Sequence, residues 1–262
     1  MKKNKLKEKL NSGNPTLATH LHNIWPSVVE VVGHTGIFDY VEFVAEYAPF
    51  DLNSLDNFCR AVELFDMSAI IKVDQQPRQF MAQRSIGSGF QGVLFSDCRT
   101  VDDVRECIQA VKPETPDAGG THGVATRRIT YMNYGGSAEY AKTLDETVVA
   151  LMIEKKSAVD QLDEILSLGK IDMIQWGPAD YSLSIGRPGE WNQPDIKAVE
   201  RKVIESALKQ GIPARAEIES VDQAKYYLDM GVRHFALGTD INILFNWLKG
   251  NGEQLRRELS GG

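Results

Sequence analysis

The sequence predicts an α/β protein whose parallel strands close into a (β/α)8 TIM barrel. Short apolar runs alternate with helical segments eight times, and this alternation calls for a parallel sheet. The 262 residues divide into units of about 33 residues, and eight such units suit a barrel of about 250 residues. We therefore expect residues 1–262 to form one domain; an open doubly wound sheet is the alternative architecture.

Eight runs of apolar and β-branched residues are predicted to be the strands. They are residues 16–21, 38–44, 69–73, 92–95, 148–153, 171–176, 213–218 and 234–237. Apolar residues spaced three and four apart predict helices at 54–64, 101–111, 158–168, 196–210 and 221–230. Ser54, Thr100 and Ser220 stand where these helices begin and are interpreted as their caps.

Composition and charge exclude several functional classes. The chain has 29 Lys+Arg against 36 Asp+Glu, a formal charge of −7, which disfavours nucleic acid as a partner. Three cysteines without CxxC spacing suit free thiols in a reducing compartment. Neither a signal peptide nor a membrane-length apolar run is evident, so we expect a cytoplasmic protein with no membrane partner.

Two segments stand apart from the repeating pattern. Leu6 and Leu10 indicate a short N-terminal helix, interpreted as solvated with a narrow apolar stripe. The connection 112–147 is unusually long, and a connection of this length is typical of a lid or an inserted helix. It contains a glycine-rich run at 119–123 that could hold an anion, and a predicted helix at 137–146 beginning at Ser137; a surface excursion without a role fits equally well.

The strongest chemical signal is a pair of carboxylates at the ends of two apolar strands. Glu154 follows Leu-Met-Ile, and Asp180 follows Met-Ile-Gln-Trp-Gly-Pro-Ala. A buried carboxylate must be paired or ligated, and neighbouring strands lie ~4.8 Å apart. Two such groups can share one Mg²⁺ with waters and substrate oxygens. Alternatively, Asp180 caps the next helix and Glu154 pairs with Lys155 or Lys156.

A lysine closes the third predicted strand, in the run Ala-Ile-Ile-Lys-Val. Lys72 could bind a carboxylate or polarise a carbonyl group, form a Schiff base, or extend to solvent at the barrel rim. Further polar residues follow other strands, namely His20, His22, Glu46, Tyr47, Asp97, Glu217, Glu219 and Asp240. The letters GxGxxG occur at 87–92, but these glycines precede a strand, which excludes a phosphate-binding turn.

Three segments resemble motifs of the HpcH/HpaI aldolase family. Residues 38–50, FDYVEFVAEYAPF, are similar to its second-strand motif FDFVxIDxEHxP. Residues 151–154, LMIE, resemble its VQIE motif, and residues 174–186, IQWGPADYSLSIG, resemble IGPxDLSxSxG. The last segment is long and fairly specific, and the resemblance extends from the first predicted strand to residues 238–240.

The resemblance implies a barrel of the pyruvate/phosphoenolpyruvate type and class II aldol cleavage of 2-oxo acids, such as 4-hydroxy-2-oxo acids, with release of pyruvate. It implies a divalent metal, Mg²⁺ or Mn²⁺/Co²⁺, on Glu154 and Asp180. It places the substrate carboxylate on backbone amides near Ala179 and Asp180. The substrate-binding residues expected on this basis are Lys72, Met152, Gly177, Pro178, Ala179 and Asp180. It also implies a homo-oligomer, a hexamer built as a trimer of dimers, with the last helix exchanged between paired subunits.

Several positions depart from the family pattern. Tyr47 stands in place of the family's catalytic His, Lys72 in place of its pyruvate-binding Arg, and Met152 in place of the Gln of VQIE. Val44 replaces the second-strand Asp, and the Asp that supports the His is missing from residues 85–89. The acid/base groups therefore differ from those of the family, whereas the metal ligands are retained.

These departures define the catalytic candidates as Lys72, Glu46 and Tyr47. A tyrosine with a reference pKa near ~10 is a poor base at neutral pH, so Glu46 is expected to orient a metal-bound water that moves the proton. Decarboxylation of a 2-oxo diacid needs the same enolate but less base, and is an alternative activity. The same departures leave open a non-catalytic barrel that binds carboxylates, or an enzyme acting on phosphorylated enolates.

Overall fold

A computed structural model describes residues 2–124, 128 and 135–260. Eight parallel strands pair in sequence order and β1 pairs with β8, which closes the barrel. The strands are β1 Thr16–Leu21, β2 Tyr40–Val44, β3 Ser68–Val73, β4 Gly92–Phe95, β5 Val148–Ile153, β6 Met173–Trp176, β7 Ala214–Ile218 and β8 His234–Thr239. The predicted (β/α)8 class is confirmed, and the open sheet is excluded.

Helices follow the strands around the outside of the barrel. They are α1 Lys5–Asn11, α2 Pro26–His34, α3 Leu52–Val62, α4 Arg78–Ser88, α5 Val101–Val111, α6 Ala138–Asp145, α7 Lys156–Asp160, α8 Leu162–Ser167, α9 Pro178–Ser184, α10 Pro194–Lys209, α11 Ala224–Leu228 and α12 Asp240–Leu259. A 3-10 turn at Val221–Gln223 precedes α11. Two predicted helices are therefore divided: 158–168 into α7 and α8, and 221–230 into the turn and α11.

The helix caps agree with the sequence in part. Thr100 caps α5, because its side chain accepts a hydrogen bond from the Asp103 N–H at 3.2 Å. Ser54 was wrongly interpreted as a cap: Asp51 caps α3 and accepts from the Ser54 N–H at 2.7 Å. Ser220 occupies a cap position but makes no side-chain cap bond.

The first helix closes the amino-terminal end of the barrel. Leu6 and Leu10 are buried and pack in the barrel interior with Ala18, Tyr40 and other inward residues. The Leu6 N–H donates to Ser68 Oγ at 3.1 Å. The interpretation of this helix as solvated was wrong, since its apolar stripe fills a barrel end that local sequence spacing does not reveal.

The long connection 112–147 lies, where it is described, at the same amino-terminal end. Pro113 bridges to His122, and Ser137 caps the predicted helix α6 through the Tyr140 N–H. The Gly120 N–H donates to the Pro113 carbonyl at 3.1 Å; because amides of the glycine-rich run make such internal bonds, its anion-binding interpretation was wrong. The described part is no lid over the carboxyl end of the strands, and residues 125–127 and 129–134 of this connection lie outside the description.

Several sequence expectations concern single features of the fold. Cys59, Cys98 and Cys107 are buried, and none of them forms a disulfide among the described residues. Gly87, the first glycine of the GxGxxG letters, lies within α4 and precedes β4. The motif therefore does not follow a strand, which confirms that it is not a phosphate-binding turn. Within the described residues, no helix combines the length and hydropathy needed to cross a membrane.

The last helix packs little against the rest of the chain. None of the 20 residues of α12 is buried. Its exposed apolar side chains are Ile241, Ile243, Leu244, Phe245, Trp247, Leu248, Leu255 and Leu259. An apolar face of this size is unusual on a lone subunit and is typical of a contact surface.

Candidate active site

A cavity of about 850 Å³ opens at the carboxyl ends of the strands. Its walls include Tyr47, Lys72, Met152, Glu154, Gly177, Pro178, Ala179 and Asp180. The structure therefore brings together the site residues predicted from the sequence, except Glu46, which contacts Lys72 but does not line the cavity. Active sites of (β/α)8 enzymes lie at this end of the barrel.

Lys72, at the end of β3, is held by two neighbours from the segment after β2. Its Nζ lies 2.6 Å from Glu46 Oε2 and donates to Tyr47 Oη at 3.2 Å. The ammonium also lies 4.8 Å from the centroid of the Tyr47 ring, a cation–π contact. Lys72 is 7% exposed and Tyr47 is 58% exposed. The Tyr47 ring therefore lies at the mouth of the cavity, and the Lys72 ammonium lies deeper.

Both groups of this pair keep their protons near neutral pH. Burial alone lowers the pKa of Lys72, but the carboxylates of Glu46 and Glu154 outweigh burial and raise it above its ordinary value. Burial raises the pKa of Tyr47, and Lys72 offsets this only in part. A Schiff base needs a neutral amine, so this arrangement disfavours that interpretation of Lys72.

Glu154, at the end of β5, is 2% exposed. Its Oε1 accepts a hydrogen bond from the Asp97 N–H at 2.7 Å. Burial raises the pKa of Glu154 to about 7, and the nearby carboxylates of Asp180 and Asp97 add to the increase while Lys72 opposes it. Three carboxylates, those of Glu154, Asp180 and Asp97, lie in this corner, and the nearby cations are Lys155 and Lys72.

Asp180 faces the same corner from α9 and is paired with a lysine. Lys155 Nζ lies 2.6 Å from Asp180 Oδ1 and 2.5 Å from Asp97 Oδ1. Lys156 pairs instead with Asp160 at 2.6 Å. The interpretation that Glu154 pairs with Lys155 or Lys156 was thus wrong.

The turn between β6 and α9 lets the chain pass close to Glu154. A Cβ added to Gly177 would lie 2.5 Å from Glu154 Cβ and Oε2, so only glycine fits here. Gly177 also occupies the cap position of α9, Pro178 its first turn, and no side chain caps this helix. Asp180 is therefore not the cap that the alternative interpretation required. Ala179 and Asp180 lie in the first turn of this uncapped helix and line the cavity.

The residues in this corner fit a divalent cation. Mg²⁺ is usually bound by one or two carboxylates together with waters and substrate oxygens. Glu154 and Asp180 supply two carboxylates on adjacent elements of one cavity. In the part of the chain that the structure describes, no group of three or more His, Cys, Asp or Glu has metal-binding geometry, so water or substrate would complete the coordination.

A polar network runs from the barrel interior to the exposed Glu217; sequence reasoning named His20 and Glu217 but missed Glu42, Gln175 and Arg215. Arg215 forms an ion pair with Glu42, and its Nη2 lies 2.7 Å from His20 Nε2. His20 Nδ1 lies 3.0 Å from Glu217 Oε1, and Gln175 Nε2 donates to Glu217 Oε2 at 3.1 Å. The network reaches the cavity, since Gln175, Arg215 and Glu217 line it.

The signal for this network was present in β7. Arg215 and Glu217 are two positions apart, so both point to the same side of the strand, and two charges facing a barrel interior must find partners there. Burial alone would raise the pKa of Glu217, but His20 and Arg215 outweigh it and lower this pKa to about 2. His22, the other histidine of the first strand region, lies beside Tyr47 with ring centroids 5.8 Å apart.

Proteins of similar sequence include two kinds of aldolase. The chain is 27% identical over 244 residues to the hydroxypyruvate/pyruvate aldolase of Roseobacter denitrificans. The alignment covers 93% of each chain. It is 26% identical over 238 residues to the 2-keto-3-deoxy-L-rhamnonate aldolase of Escherichia coli O157:H7. This alignment covers 90% of this chain and 87% of the relative.

Solved structures share the fold. The HpcH/HpaI aldolase of Desulfitobacterium hafniense superposes with a TM-score of 0.86 at 20% identity and covers 97% of both chains. Citrate synthase SbnG superposes with a TM-score of 0.84 at 20% identity, covering 98% of this chain and 99% of that one.

The sequence model described as HpcH/HpaI aldolase/citrate lyase matches residues 23–246, which is most of the chain. The match includes β2 to β8 and every cavity residue named above. The chain therefore belongs to the HpcH/HpaI aldolase/citrate lyase family and is an enzyme of the carbon–carbon lyase class.

Proposed function

We propose that this enzyme cleaves a carbon–carbon bond of 2-oxo acids, such as 4-hydroxy-2-oxo acids, and releases pyruvate or a close relative. The observation that carries the proposal is the meeting of Glu154, Asp180, Lys72 and Tyr47 in one cavity at the carboxyl end of the barrel. The relatives named as hydroxypyruvate/pyruvate and 2-keto-3-deoxy-L-rhamnonate aldolases support this substrate class.

We propose further that Glu154 and Asp180 hold a divalent metal, Mg²⁺ or else Mn²⁺ or Co²⁺. The three carboxylates in the corner around Glu154 support this assignment. A citrate lyase beta subunit from M. tuberculosis, similar in fold with a TM-score of 0.55 at 12% identity, has been solved with oxaloacetate and magnesium. A bound divalent ion acts as a Lewis acid on carboxylate and carbonyl oxygens.

Lys72 and Tyr47 supply the positive charge and the proton that cleavage requires. In aldol cleavage the 4-hydroxyl group gives its proton to water in the open cavity, the bond between carbons 3 and 4 breaks, and the far fragment leaves as an aldehyde. Negative charge develops on the oxygen of the pyruvate enolate, and the Lys72 ammonium stabilises that charge. The Tyr47 hydroxyl then protonates the terminal carbon of the enolate, which yields pyruvate. Tyr47 regains its proton from solvent, to which it is more than half exposed.

The segment before and within α9 binds the substrate carboxylate in this proposal. The amides of Ala179 and Asp180 lie at the amino-terminal end of the helix, where backbone N–H groups favour an anion. Gly177 and Pro178 bring this end close to Glu154, and Met152 presents an apolar wall beside them. Glu46, which contacts Lys72 at 2.6 Å, positions the ammonium, and this role replaces the water-orienting role expected from the sequence.

Decarboxylation of a 2-oxo diacid such as oxaloacetate is a second candidate, and one observation favours it. Aldol cleavage requires a base that removes the proton of the 4-hydroxyl group, but Lys72 and Tyr47 both keep their protons. Loss of carbon dioxide forms the same enolate without such a base. Both reactions then end with proton donation from Tyr47.

The experiment compares pyruvate release by the wild type, Glu154→Gln and Asp180→Asn, after treatment with EDTA and with Mn²⁺ restored. Substrates are a 4-hydroxy-2-oxo acid and oxaloacetate. We expect metal-dependent release that falls at least 100-fold in both variants, and unchanged release by Asp160→Asn, whose carboxylate is exposed on α7. Equal release with and without metal would contradict the proposed metal dependence. Wild-type release by the Glu154 and Asp180 variants would contradict their assignment to the active site.

We also propose that α12 is exchanged between paired subunits of a homo-oligomer, in a hexamer built as a trimer of dimers. The absence of any buried residue in α12, among the residues described, supports this assembly. A second copy would cover the apolar face, whose exposure in a lone subunit costs free energy.

A further inference from the structure

Aldol cleavage needs an acceptor for the proton of the 4-hydroxyl group, and the side chains assigned so far do not supply one. Lys72 and Tyr47 keep their own protons near neutral pH, and Glu154 and Asp180 are assigned to the metal. Water in the cavity takes the proton in the reaction proposed above, but water is a weak base. A carboxylate in contact with that water would be a far stronger acceptor.

We propose that Glu217 is the base of aldol cleavage and takes the 4-hydroxyl proton through one water molecule, which Gln175 orients. The inference rests on the function proposed above, because it concerns one step of that reaction. It assigns the proton acceptor to a pair of residues outside the metal corner.

Glu217, in β7, lies on the opposite side of the cavity from Lys72. The eight strands pair in sequence order around a closed barrel, so β3 and β7 face each other and β5 lies midway between them. A substrate held at Glu154, directly after β5, would therefore have Lys72 on one side and Glu217 on the other. Cleavage needs positive charge at the carbonyl oxygen and a base at the hydroxyl group two carbons away, and the two walls supply one each.

The Glu217 carboxylate is both accessible and ionised. Its side chain is 45% exposed, whereas Glu200, another carboxylate of the cavity wall, is 1% exposed. Burial alone would raise the pKa of Glu217, but His20, Arg215 and Lys72 outweigh burial and lower this pKa to about 2. The group is therefore unprotonated at neutral pH. These neighbours weaken it as a base, but a carboxylate remains a far stronger base than water.

Two donors hold the Glu217 carboxylate in place. His20 Nε2 lies 2.7 Å from Arg215 Nη2, and because an arginine only donates, the proton of the His20 ring is on Nδ1. That nitrogen donates to Glu217 Oε1 at 3.0 Å, and Gln175 Nε2 donates to Oε2 at 3.1 Å. Each carboxylate oxygen has two lone pairs, so each can accept one further hydrogen bond from water.

Gln175 supplies a second acceptor beside this carboxylate. An ionised carboxylate only accepts, so the Gln175 amide presents Nε2 to Glu217 and leaves Oε1 for another donor. Gln175 is 4% exposed and lines the cavity, and its Oε1 has no hydrogen-bond partner among the described residues. A buried polar atom without a partner destabilises the protein. A water molecule that donates to Oε1 would remove this cost.

One water molecule can serve both residues and the reaction. It would donate one hydrogen to Glu217 and the other to Gln175 Oε1, which leaves its lone pairs for the substrate hydroxyl group. In the cleavage step the water oxygen accepts the 4-hydroxyl proton and passes one of its own protons to Glu217. The electron pair of the O–H bond forms the carbonyl group of the aldehyde. The bond between carbons 3 and 4 breaks, and its electron pair forms the double bond of the enolate.

The test compares two reactions of the same enzyme with Mn²⁺ present. Cleavage of 4-hydroxy-2-oxopentanoate to pyruvate and acetaldehyde needs the base, whereas decarboxylation of oxaloacetate forms the same enolate without it. The variants are Glu217→Gln, which removes the charge but keeps the size, and Gln175→Leu, which removes both amide contacts. Glu219→Gln is the matched control, because Glu219 also lines the cavity but accepts from Asn242 Nδ2 at 3.3 Å.

We expect the ratio of the kcat for cleavage to the kcat for decarboxylation to fall about 100-fold in Glu217→Gln and about tenfold in Gln175→Leu, within the scale of general base catalysis. The KM values should change little, and Glu219→Gln should keep the wild-type ratio. Decarboxylation by each variant reports that its fold and metal corner are intact.

The outcomes separate this inference from the function on which it rests. An unchanged ratio in Glu217→Gln overturns the role of Glu217, and so does a wild type that decarboxylates oxaloacetate without cleaving the hydroxy acid. A wild-type ratio in Gln175→Leu overturns the role of Gln175 in orienting the water. A wild type that releases no pyruvate from either substrate contradicts the proposed function itself, and the inference with it.

Discussion

Lys155 Nζ lies 2.6 Å from Asp180 Oδ1, and the same ammonium lies 2.5 Å from Asp97 Oδ1. The ion pair joins the residue directly after Glu154 to α9, across the corner where we propose a metal. A divalent ion on Asp180 must therefore share its carboxylate with Lys155.

Replacing this lysine is expected to strengthen metal binding. In Lys155→Met the competing positive charge is removed, and unit charges a few ångströms apart near a protein surface interact by up to about 4 kcal/mol. We expect Mn²⁺ to bind at least tenfold more tightly, as measured by calorimetry. Lys156→Met, which removes a charge paired with exposed Asp160, is the control; equal affinity in both variants would show that Lys155 does not compete.

The Tyr47–Lys72 contact of 3.2 Å predicts two different kinetic defects. Tyr47→Phe removes the proton donor and should lower kcat by about 100-fold, the scale of general acid catalysis, with little change in KM. Lys72→Met removes the charge that binds substrate and stabilises the enolate, so kcat should fall and KM should rise. Steady-state kinetics with oxaloacetate distinguish the two, and a Tyr47→Phe variant with wild-type kcat would exclude Tyr47 as the donor.

Lys72 is expected to form no covalent adduct with substrate. Its pKa is raised by Glu46 and Glu154 against the effect of burial, so the free amine that a Schiff base requires is scarce. Incubation with pyruvate and borohydride should leave the intact mass unchanged. A mass increase that disappears in Lys72→Met would instead place this enzyme among Schiff-base aldolases.

Two buried histidines predict a loss of stability in mild acid. Burial lowers the pKa of His122 to about 4; burial, Arg233 and Arg215 lower that of His234 to about 4. Between the unfolded value of 6.5 and pH 4, the unfolded chain binds protons that the native state does not. The free energy of unfolding should therefore fall as the pH is lowered, by up to about 3 kcal/mol per histidine.

Urea unfolding at about pH 7 and about pH 5 measures this effect. His122 has no hydrogen-bond partner on either ring nitrogen among the described residues, so His122→Leu should fold and show a smaller loss between the two pH values. The exposed His34, replaced by Gln, should leave the loss unchanged. An identical pH dependence in His122→Leu and the wild type would contradict the prediction.

The exposed face of α12 predicts a defect in assembly. Trp247 is 64% exposed, and a charge at this position should prevent a second copy from covering the helix. We expect Trp247→Glu to elute as a monomer in size-exclusion chromatography with light scattering, whereas the wild type elutes as an oligomer. Leu64→Glu, at an exposed position just after α3, should keep the wild-type mass, and a monomeric wild type would contradict the proposed exchange.

Sequence periodicity was sufficient for the barrel, because each strand and helix depends on neighbours within about ten residues. The bounds of β1, β4, β5 and α5 are the same in the structure as in the prediction. Division of the predicted helix 158–168 into α7 and α8 was not predicted, since local spacing does not record where packing interrupts a helix. The cap of α3 is Asp51 and not the predicted Ser54. The two residues stand three positions apart in one capping box, and local sequence does not show which of them begins the helix.

The sequence by itself determined the eightfold alternation and the meeting of Glu154, Asp180 and Lys72 at one end of the barrel, because parallel strands bring their carboxyl ends to one edge. Only the tertiary structure decided that Lys155 pairs with Asp180, that α1 closes the barrel and that residues of α10 and α11 line the cavity. Ion pairs and cavities depend on side chains brought together from distant parts of the chain, and strand periodicity carries no information about which of these side chains meet.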